Sequence, residues 1–156
     1  MVEAIPAAYR GVTSYLILRN AAEALAFYEK AFGAEQVLRL DGPDGKVAHA
    51  EMRIAGGIVM LSEENVPMGH KSAHTLGGSP VHLMFYVKDV DEAFAKALAA
   101  GGREQRPVKD QFYGDRSGTL SDPFGIQWTI ATHVEDVSSE EIDRRMAQMA
   151  NDGEDG

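Results

Sequence analysis

The sequence has 156 residues, of which 44% are hydrophobic and 25% charged, a composition typical of one globular domain or two small modules sharing a core. The net charge of −9 disfavours nucleic-acid partners, and no apolar run approaches the roughly 20 residues of a membrane span. The lack of cysteine excludes disulfides and thiol nucleophiles, and the N-terminus has no signal-peptide pattern, so we expect a cytoplasmic protein.

The first part of the chain, residues 1–62, predicts a βαβββ unit. Its elements are a strand at 12–18, a helix from Asn20 to Gly33, and strands at 36–40, 47–54 and 58–61. Asn20 is a favoured N-cap residue with Glu23 in the capping-box position, and Gly33 provides a left-handed helix end. The turn residues at 42–45, Gly-Pro-Asp-Gly, indicate a hairpin between the second and third strands.

A stretch rich in Gly and Pro at 63–80 predicts a linker, after which the same pattern returns at 81–135. The second unit has a strand at 81–87, a helix capped by Asp89, an extended stretch near Pro107, and strands at 114–121 and 127–131. A C-terminal segment at 136–150 carries a helix that begins at Ser138, and the acidic tail at 151–156 is predicted to be disordered.

The two units share a constant offset in sequence, which indicates an internal duplication. Asn20 and Asp89 are 69 residues apart, as are Glu23 and Glu92. An ordered pattern that recurs at one spacing is typical of a duplicated unit, although any two capped helices share some features. The prediction is therefore an α+β protein of two tandem βαβββ modules, whose curved, mostly antiparallel sheet surrounds a cavity, with the helices on the convex side.

Two such modules resemble the vicinal oxygen chelate superfamily, which includes glyoxalase I, extradiol dioxygenases and bleomycin-resistance proteins. The resemblance rests on the sequences VTSYLILRNAAEALAFYEKAFGAE (12–35), DGKVAHAEMRIAGG (44–57), VHLMFYVKDVDEAFAKALAAGG (81–102) and DQFYGDRSGTLSDPFGIQWTIATHVEDVSSEE (110–141). FYEKAFGAE and GDRSGTLSDPFGIQW are similar to the PhnB-like branch in particular. The resemblance implies a homodimer and a small-molecule ligand.

The resemblance also implies where a metal would bind. Metal-dependent members use four ligands, usually His and Glu, from the first and last strands of both units. Those positions are Thr13, Met60, His82 and Thr129 in this sequence. Only the imidazole is a good ligand for a divalent ion, because a thioether is soft and neutral hydroxyls are weak ligands. This departure argues against a metal bound by the full quartet. A divalent metal stays a possible cofactor, for which the weak candidate ligands are His82 with His49 and Glu51, if their strands converge.

Strand alternation predicts which side chains face the cavity. The predicted face consists of Thr13, Tyr15, Ile17, Met60, Ser62, His82, Met84, Tyr86, Gln127 and Thr129. A mixed apolar and aromatic lining with a few polar groups is typical of a small-molecule pocket, but a core or a packed interface has the same pattern. Of these residues, Thr13, Tyr15, Met60, Met84, Tyr86 and Thr129, together with His49, are the predicted substrate contacts.

Four residues are the candidates for catalysis: His82, Glu51, Tyr113 and Arg116. His82 can act as a base or a hydrogen-bonding residue, or it can be structural. His49 and Glu51, two residues apart, can share a proton, or they can lie on a solvated strand face.

Tyr113 and Arg116 flank Gly114, and Arg116 can clamp an anion, or it can join salt bridges with Asp115 that shape the turn.

His70 and His74 have helical metal-ligand spacing, but the neighbouring glycines Gly69, Gly77 and Gly78 argue against a stable helix there. The resemblance implies an enzyme-like, glyoxalase-related protein that acts on a small polar organic molecule in the cavity, with chemistry of lyase, isomerase or dioxygenase type. The alternative is a sequestration protein of the bleomycin-resistance type, whose acidic chain would suit a cationic ligand.

Overall fold

The computed structural model describes residues 1–154, which form two modules of the same βαβββ type. The first module contains β1 (Ser14–Leu18), α1 (Ala21–Phe32), β2 (Glu35–Asp41), β3 (Val47–Ile54) and β4 (Gly57–Glu63). The connection carries a short α2 (Ala73–Leu76), and the second module contains β5 (His82–Tyr86), α3 (Val90–Ala99), β6 (Arg103–Asp110), β7 (Asp115–Ser121) and β8 (Gln127–His133). The chain then forms α4 (Ser139–Glu154).

The two modules have identical strand topology, which confirms the predicted α+β architecture. Each forms a four-stranded sheet, in the orders β1-β4-β3-β2 and β5-β8-β7-β6. The first strand of each module pairs parallel to the last strand, and the other pairs are antiparallel. Tyr15 lies opposite Met60 in the first sheet, and Met84 lies opposite Thr129 in the second. Both members of the second pair follow their counterparts by 69 residues, as the predicted duplication requires.

The start of α1 differs from the predicted capping box. Asn20 has a left-handed backbone (φ 63°), and its side chain makes no capping hydrogen bond. The carboxylate of Glu63, at the end of β4, instead accepts hydrogen bonds from the backbone N–H groups of Asn20 (3.1 Å) and Ala21 (2.8 Å). A carboxylate at a helix N-terminus also interacts favourably with the helix dipole, so a strand residue replaces the local cap.

The remaining predicted helix ends are confirmed. The side chain of Asp89 accepts a hydrogen bond from the backbone N–H of Glu92 at 3.0 Å, and Gly33 adopts the left-handed conformation (φ 64°) after α1. These local signals fix the lengths of the two long module helices.

The core lies where α1 packs against the helix-covered face of the second sheet. Tyr28 and Phe32 of α1 stack on each other, with ring centroids 5.7 Å apart. Both rings contact Trp128 of β8, at 5.4 and 4.8 Å, and Phe32 also contacts Phe85 of β5 at 5.3 Å. Helix α3 packs against α1 and against β6, β7 and β8. Both helices therefore lie on one side of the strands, and the opposite face of each sheet is open.

One sequence prediction in the segment between the modules is wrong. Residues Ala73–Leu76 form a short helix despite the neighbouring glycines, because Ser72 caps it by accepting a hydrogen bond from the N–H of Thr75. Helix α4 extends to Glu154, past the predicted helix end at 150. Residues 155–156 of the tail lie outside the described residues, and the disorder of the tail stays a prediction. None of the helices in residues 1–154 combines the length and the apolar character that crossing a membrane requires.

The segment between β8 and α4 is fastened to the turn that precedes β7. The backbone N–H groups of Val134 and Glu135 both donate to the carbonyl oxygen of Gly114 at 3.0 Å. Arg145 of α4 donates to the carbonyl oxygen of Phe112 at 3.0 Å and forms an ion pair with Glu135 at 2.8 Å. The first turns of α4 therefore hold the loop at 111–114 in place.

Candidate functional site

The open face of the first sheet carries a band of polar and aromatic side chains, which we call the first face. Strand register aligns Tyr15 of β1 with Met60 of β4, and Met60 with Glu51 of β3. Because side chains alternate along each strand, the first face consists of Tyr15, Ile17, His49, Glu51, Met60 and Ser62. Thr13 lies immediately before β1, outside the strand.

The open face of the second sheet, the second face, repeats this layout. His82, Met84 and Tyr86 of β5 lie opposite Gln127, Thr129 and Ala131 of β8. Thr129 in turn lies opposite Thr119 of β7, and their hydroxyl oxygens are 2.8 Å apart. Met84 is 47% exposed and Tyr86 is 53% exposed. Both side chains are therefore largely open to solvent on this face.

A chain of hydrogen bonds joins four side chains on the first face. The hydroxyl of Tyr15 lies 2.9 Å from His49 Nδ1, and His49 Nε2 lies 3.1 Å from Glu51 Oε1. Tyr9, from a short 3₁₀ turn before β1, donates its hydroxyl to the other oxygen of Glu51. The hydrogen bonds from Tyr9 and, next in size, from His49 hold the pKa of Glu51 below its ordinary value, whereas the pKa of Tyr9 is raised. Sequence reasoning paired His49 with Glu51 but missed Tyr9, which lies 42 residues from Glu51 in the chain.

A second chain lies at the edge of the second face. Tyr86 donates to Asp115 at 2.6 Å, Asp115 lies 2.8 Å from His133 Nδ1, and His133 Nε2 lies 2.8 Å from Asp136. The hydrogen bonds with Asp136 and then with Asp115 raise the pKa of His133, and the hydrogen bond with Asp115 raises the pKa of Tyr86. Sequence reasoning missed His133 and Asp136, although continued alternation from Thr129 would have assigned His133 to this face.

A groove of about 590 Å³ lies on the second module, and one predicted catalytic residue lines it. Tyr113 is 39% exposed there and packs edge-on against Phe112. The residues that define the character of the groove are Met84, Arg106, Lys109, Phe112, Tyr113 and Thr129. Its two charged side chains are both basic and, within residues 1–154, neither forms an ion pair. Another groove, of about 570 Å³, lies at the far end of the first sheet and does not include the Tyr15–His49–Glu51 chain.

Arg116 does not face either groove. Its guanidinium lies on the helix-covered side of β7, where it forms a bidentate ion pair with Asp91 of α3 (both distances 2.8 Å) and contacts Asp110 at 3.1 Å. The hydrogen bonds with Asp91 and Asp110 raise the pKa of Arg116. Of the two roles left open for Arg116, these contacts match the salt-bridge role, with Asp91 and Asp110 as partners. The donors of Arg116 are already used to fasten α3 to β6 and β7.

The linker histidines do not converge. The ring of His74 lies 2.9 Å from the carbonyl oxygen of Pro123, whereas His70 pairs through its backbone with Asn65. The two residues therefore play separate structural roles.

The four positions that correspond to the family metal ligands are split between the two sheets. Met60 belongs to the first sheet and Thr13 immediately precedes it, whereas His82 begins β5 and Thr129 of β8 shares a hydrogen bond with Thr119. One imidazole, one thioether and two neutral hydroxyls do not fit a divalent ion.

The weak alternative at His49 and Glu51 fits no better, because both ring nitrogens of His49 already form hydrogen bonds. In the part of the chain that the structure describes, no three His, Asp or Glu side chains form a cluster suited to a metal ion.

Comparison with known proteins identifies the family. Residues 12–130 match the Glyoxalase/Bleomycin resistance protein/Dioxygenase superfamily. The chain is 41% identical over 143 residues to the uncharacterized protein Rv0887c of Mycobacterium tuberculosis (strain ATCC 25618 / H37Rv), which covers 90% of this chain and 84% of that protein.

Solved structures agree with this match. TioX from Micromonospora sp. ML1 superposes with a TM-score of 0.63 at 28% identity, covering 79% of this chain and 98% of TioX. FosX from Listeria monocytogenes, complexed with Mn(II) and a sulfate ion, shares the fold with a TM-score of 0.60 at 20% identity, covering 88% of this chain and 98% of FosX. The chain therefore belongs to the glyoxalase/bleomycin resistance protein/dioxygenase superfamily.

Proposed function

We propose that this protein binds a small polar organic molecule against the open faces of its sheets, in a site that a second copy of the chain closes. The observation that carries the proposal is the exposure of Tyr15 (46%) on β1 and of Met84 (47%) and Tyr86 (53%) on β5. These side chains lie on the faces of their strands opposite to those that pack on the core. A lone chain would leave this apolar surface in water, whereas a ligand and a partner subunit together would cover it.

The second copy is the partner that the topology favours. Strands β1 and β5 are both edge strands, and each has one side without a hydrogen-bonded neighbour within the described sheets. Unpaired edges of this kind offer a place for a second chain to attach, and a homodimer with the first face of one chain over the second face of the other would cover the exposed side chains of both faces. The resemblance to the PhnB-like branch, seen in FYEKAFGAE and GDRSGTLSDPFGIQW, supports the same assembly.

The groove on the second face supports a particular kind of ligand. Met84, Phe112 and Tyr113 provide apolar and aromatic contacts, whereas Arg106 and Lys109 supply positive charge without a carboxylate in the lining. An anion with an apolar body fits this lining better than the cation that the acidic net charge suggests, because local charge acts on a bound ligand more strongly than distant charge.

The proposal assigns ligand contacts to His82, Tyr113, Tyr15 and Thr129, and it requires no metal. The donor set at the four family positions supports this metal-independent site. The proposal includes a cytoplasmic location.

Elemental analysis of the purified protein tests whether the site needs a metal. We expect no stoichiometric divalent ion. The proposal would be contradicted by one ion per chain whose removal with a chelator abolishes ligand binding.

The alternative function is sequestration without chemistry, as in the bleomycin-resistance type. It is favoured by the same weak metal donors, and recovery of a bound ligand unchanged would support it.

His82→Ala addresses the catalytic role of that residue, because equal affinity and turnover in the variant would remove His82 from the site.

Binding in the groove can be tested with 8-anilinonaphthalene-1-sulfonate, a fluorescent anion with an aromatic body. We expect Met84→Ala and Arg106→Gln to weaken its binding several-fold. The matched controls are Met146→Ala, whose methionine is similarly exposed on α4, and Arg103→Gln on the same strand as Arg106. Equal affinities for a groove variant and its control would contradict the proposed site.

A further inference from the structure

The first face contains a carboxylate, an imidazole and a phenol in line. Glu51 is buried, with 7% of its surface exposed, and lies next to His49, whose side chain is 25% exposed. Tyr15, at the end of the line, is 46% exposed. Burial therefore decreases from the carboxylate to the phenol, so that only the phenol is freely presented to a ligand.

The positions of the hydrogens follow from the charge of Glu51. Its lowered pKa keeps the carboxylate ionised at neutral pH, and an ionised carboxylate can only accept hydrogen bonds. His49 therefore carries a hydrogen on Nε2, and in the neutral imidazole Nδ1 is then an acceptor. The hydroxyl of Tyr15 then donates to Nδ1, and the lone pairs of the phenol oxygen point away from the imidazole.

Tyr9 holds Glu51 in place but takes no part in the line of hydrogen bonds from Glu51 to Tyr15. Its hydroxyl donates to the second carboxylate oxygen of Glu51, which keeps the carboxylate in place and leaves Oε1 for His49. Catalytic triads have the same arrangement, in which a second group orients the nucleophile or base and a third group fixes the tautomer of the second. Here Tyr15, His49 and Glu51 occupy these three positions.

We infer that Tyr15, His49 and Glu51 form a proton-accepting site for a weak acid whose conjugate base is an oxyanion, such as a hydroxylated or enolisable compound. The ligand gives its proton to the phenol oxygen of Tyr15 as the phenol proton moves to His49 Nδ1. The imidazolium that forms is stabilised by Glu51, so the net change is one proton moved from ligand to His49. Tyr15 would be the catalytic residue. His49 would position Tyr15 and accept its proton, and Glu51 would position His49 and stabilise the imidazolium.

The inference deepens the proposed function, on which it rests for the location of the ligand. The unpaired Arg106 and Lys109 of the second groove would favour the resulting oxyanion once a second copy brings the two faces together. The reactivity of the phenol itself requires neither a natural ligand nor a partner, and this allows a separate test.

The test is acetylation of tyrosine by N-acetylimidazole, followed residue by residue with peptide mass spectrometry. The phenol oxygen forms a bond to the acetyl carbon, the bond from that carbon to imidazole breaks, and the phenol proton passes to His49. We expect Tyr15 to react at least about tenfold faster than Tyr113, because a hydrogen-bonded base typically contributes 10²–10⁴-fold to such steps. Tyr113 is the internal control, since it is 39% exposed and its hydroxyl has no hydrogen-bond partner within residues 1–154.

Two variants identify the base. His49→Gln should reduce the rate at Tyr15 to that of Tyr113, and Glu51→Gln should reduce it in part. His70→Gln, at an exposed histidine between the two modules, should leave it unchanged. The rate at Tyr113 reports whether each variant is still folded, and Glu51→Gln provides a second measurement if His49→Gln does not fold.

Equal rates at Tyr15 and Tyr113 in the wild type, or a fast Tyr15 that does not respond to His49→Gln and Glu51→Gln, would overturn the inference. Because the reagent is small and no ligand is present, this result is independent of the groove-binding experiment. If Tyr15 is reactive but the groove variants bind the fluorescent anion as their controls do, the inference about Tyr15, His49 and Glu51 is kept and the proposed ligand site is rejected. If Tyr15 is not reactive but the groove variants weaken binding, the ligand site is kept and the inference is rejected.

Discussion

Asp122 links the two modules through a buried hydrogen bond with Tyr28. Its buried carboxylate accepts hydrogen bonds from the side chains of Tyr28 (2.5 Å) and Trp128 (2.9 Å) and from the backbone N–H groups of Phe124 (2.8 Å) and Ile126 (2.9 Å). Burial, and then the charge of Asp122, raises the pKa of Tyr28 well above its ordinary value, so the phenol stays a donor. A buried charge is tolerated only when such donors surround it.

Removing the phenol should therefore be costly. Tyr28→Phe keeps the ring packing but takes one donor from a buried carboxylate, and we expect a loss of about 2 kcal/mol in the free energy of unfolding. Urea denaturation measures it, with Tyr113→Phe as the control, because the hydroxyl of Tyr113 is exposed. The assignment fails if both variants unfold at the same urea concentration.

His133 makes stability depend on pH in a predictable direction. Its folded-state pKa is raised above 6.5 by Asp136 and Asp115, so its stabilising contribution is complete below the unfolded-state pKa and is lost as pH rises through the raised value. The groups that face it are Asp115, Asp136 and, through Asp115, Tyr86.

The comparison of wild type with His133→Gln isolates this contribution. We expect the wild type to have the higher Tm at about pH 5–6, and the difference to shrink towards about pH 8–9 as the imidazole loses its proton. A Tm difference that stays constant over this range, or grows with pH, would show that the charge of His133 does not contribute.

At the scale of elements, the turn before β7 depends on the close approach of two backbones. Gly114 has φ +102°, and a Cβ at this position would overlap the carbonyl oxygen of Glu135. The same turn supplies Phe112 and Tyr113 to the groove. The C-terminal segment and the groove wall are therefore parts of one arrangement, held by Gly114 and Arg145.

Gly114→Ala should detach the C-terminal segment. We expect it to cost at least about 2 kcal/mol more than Gly45→Ala, a control that also has a positive φ (+75°) but open space around the added methyl group. Hydrogen exchange should rise in residues 133–145 and in the loop at 111–114. Equal stability of the two variants, with unchanged exchange, would contradict the role assigned to Gly114.

For the whole molecule, the sequence predicted the architecture because the repeated signals are local. Alternating strands, the Asp89 cap and the glycine helix ends each report on a few neighbouring residues, and the 69-residue offset repeats them. Predictions failed where a distant group replaced the local one, as when Glu63 capped α1 in place of Asn20.

The candidate site could be predicted only in part, for the same reason. Strand parity assigned Tyr15, His49 and Glu51 to their strands, but nothing local indicates that Tyr9 reaches Glu51 or that Asp91 binds Arg116. Those contacts arise from the packing of the N-terminal turn and of α3. Tyr9 is 42 residues from Glu51 in the sequence, and Asp91 is 25 residues from Arg116.

The central claim is that a second copy of the chain closes the site, and sedimentation equilibrium tests it most directly. We predict that the wild type has twice the 16.9 kDa mass of one chain, that Met84→Arg on the second face has the mass of one chain, and that Ala95→Arg on the exposed side of α3 behaves as the wild type. A wild type that remains at 16.9 kDa at the highest attainable concentration would contradict the account.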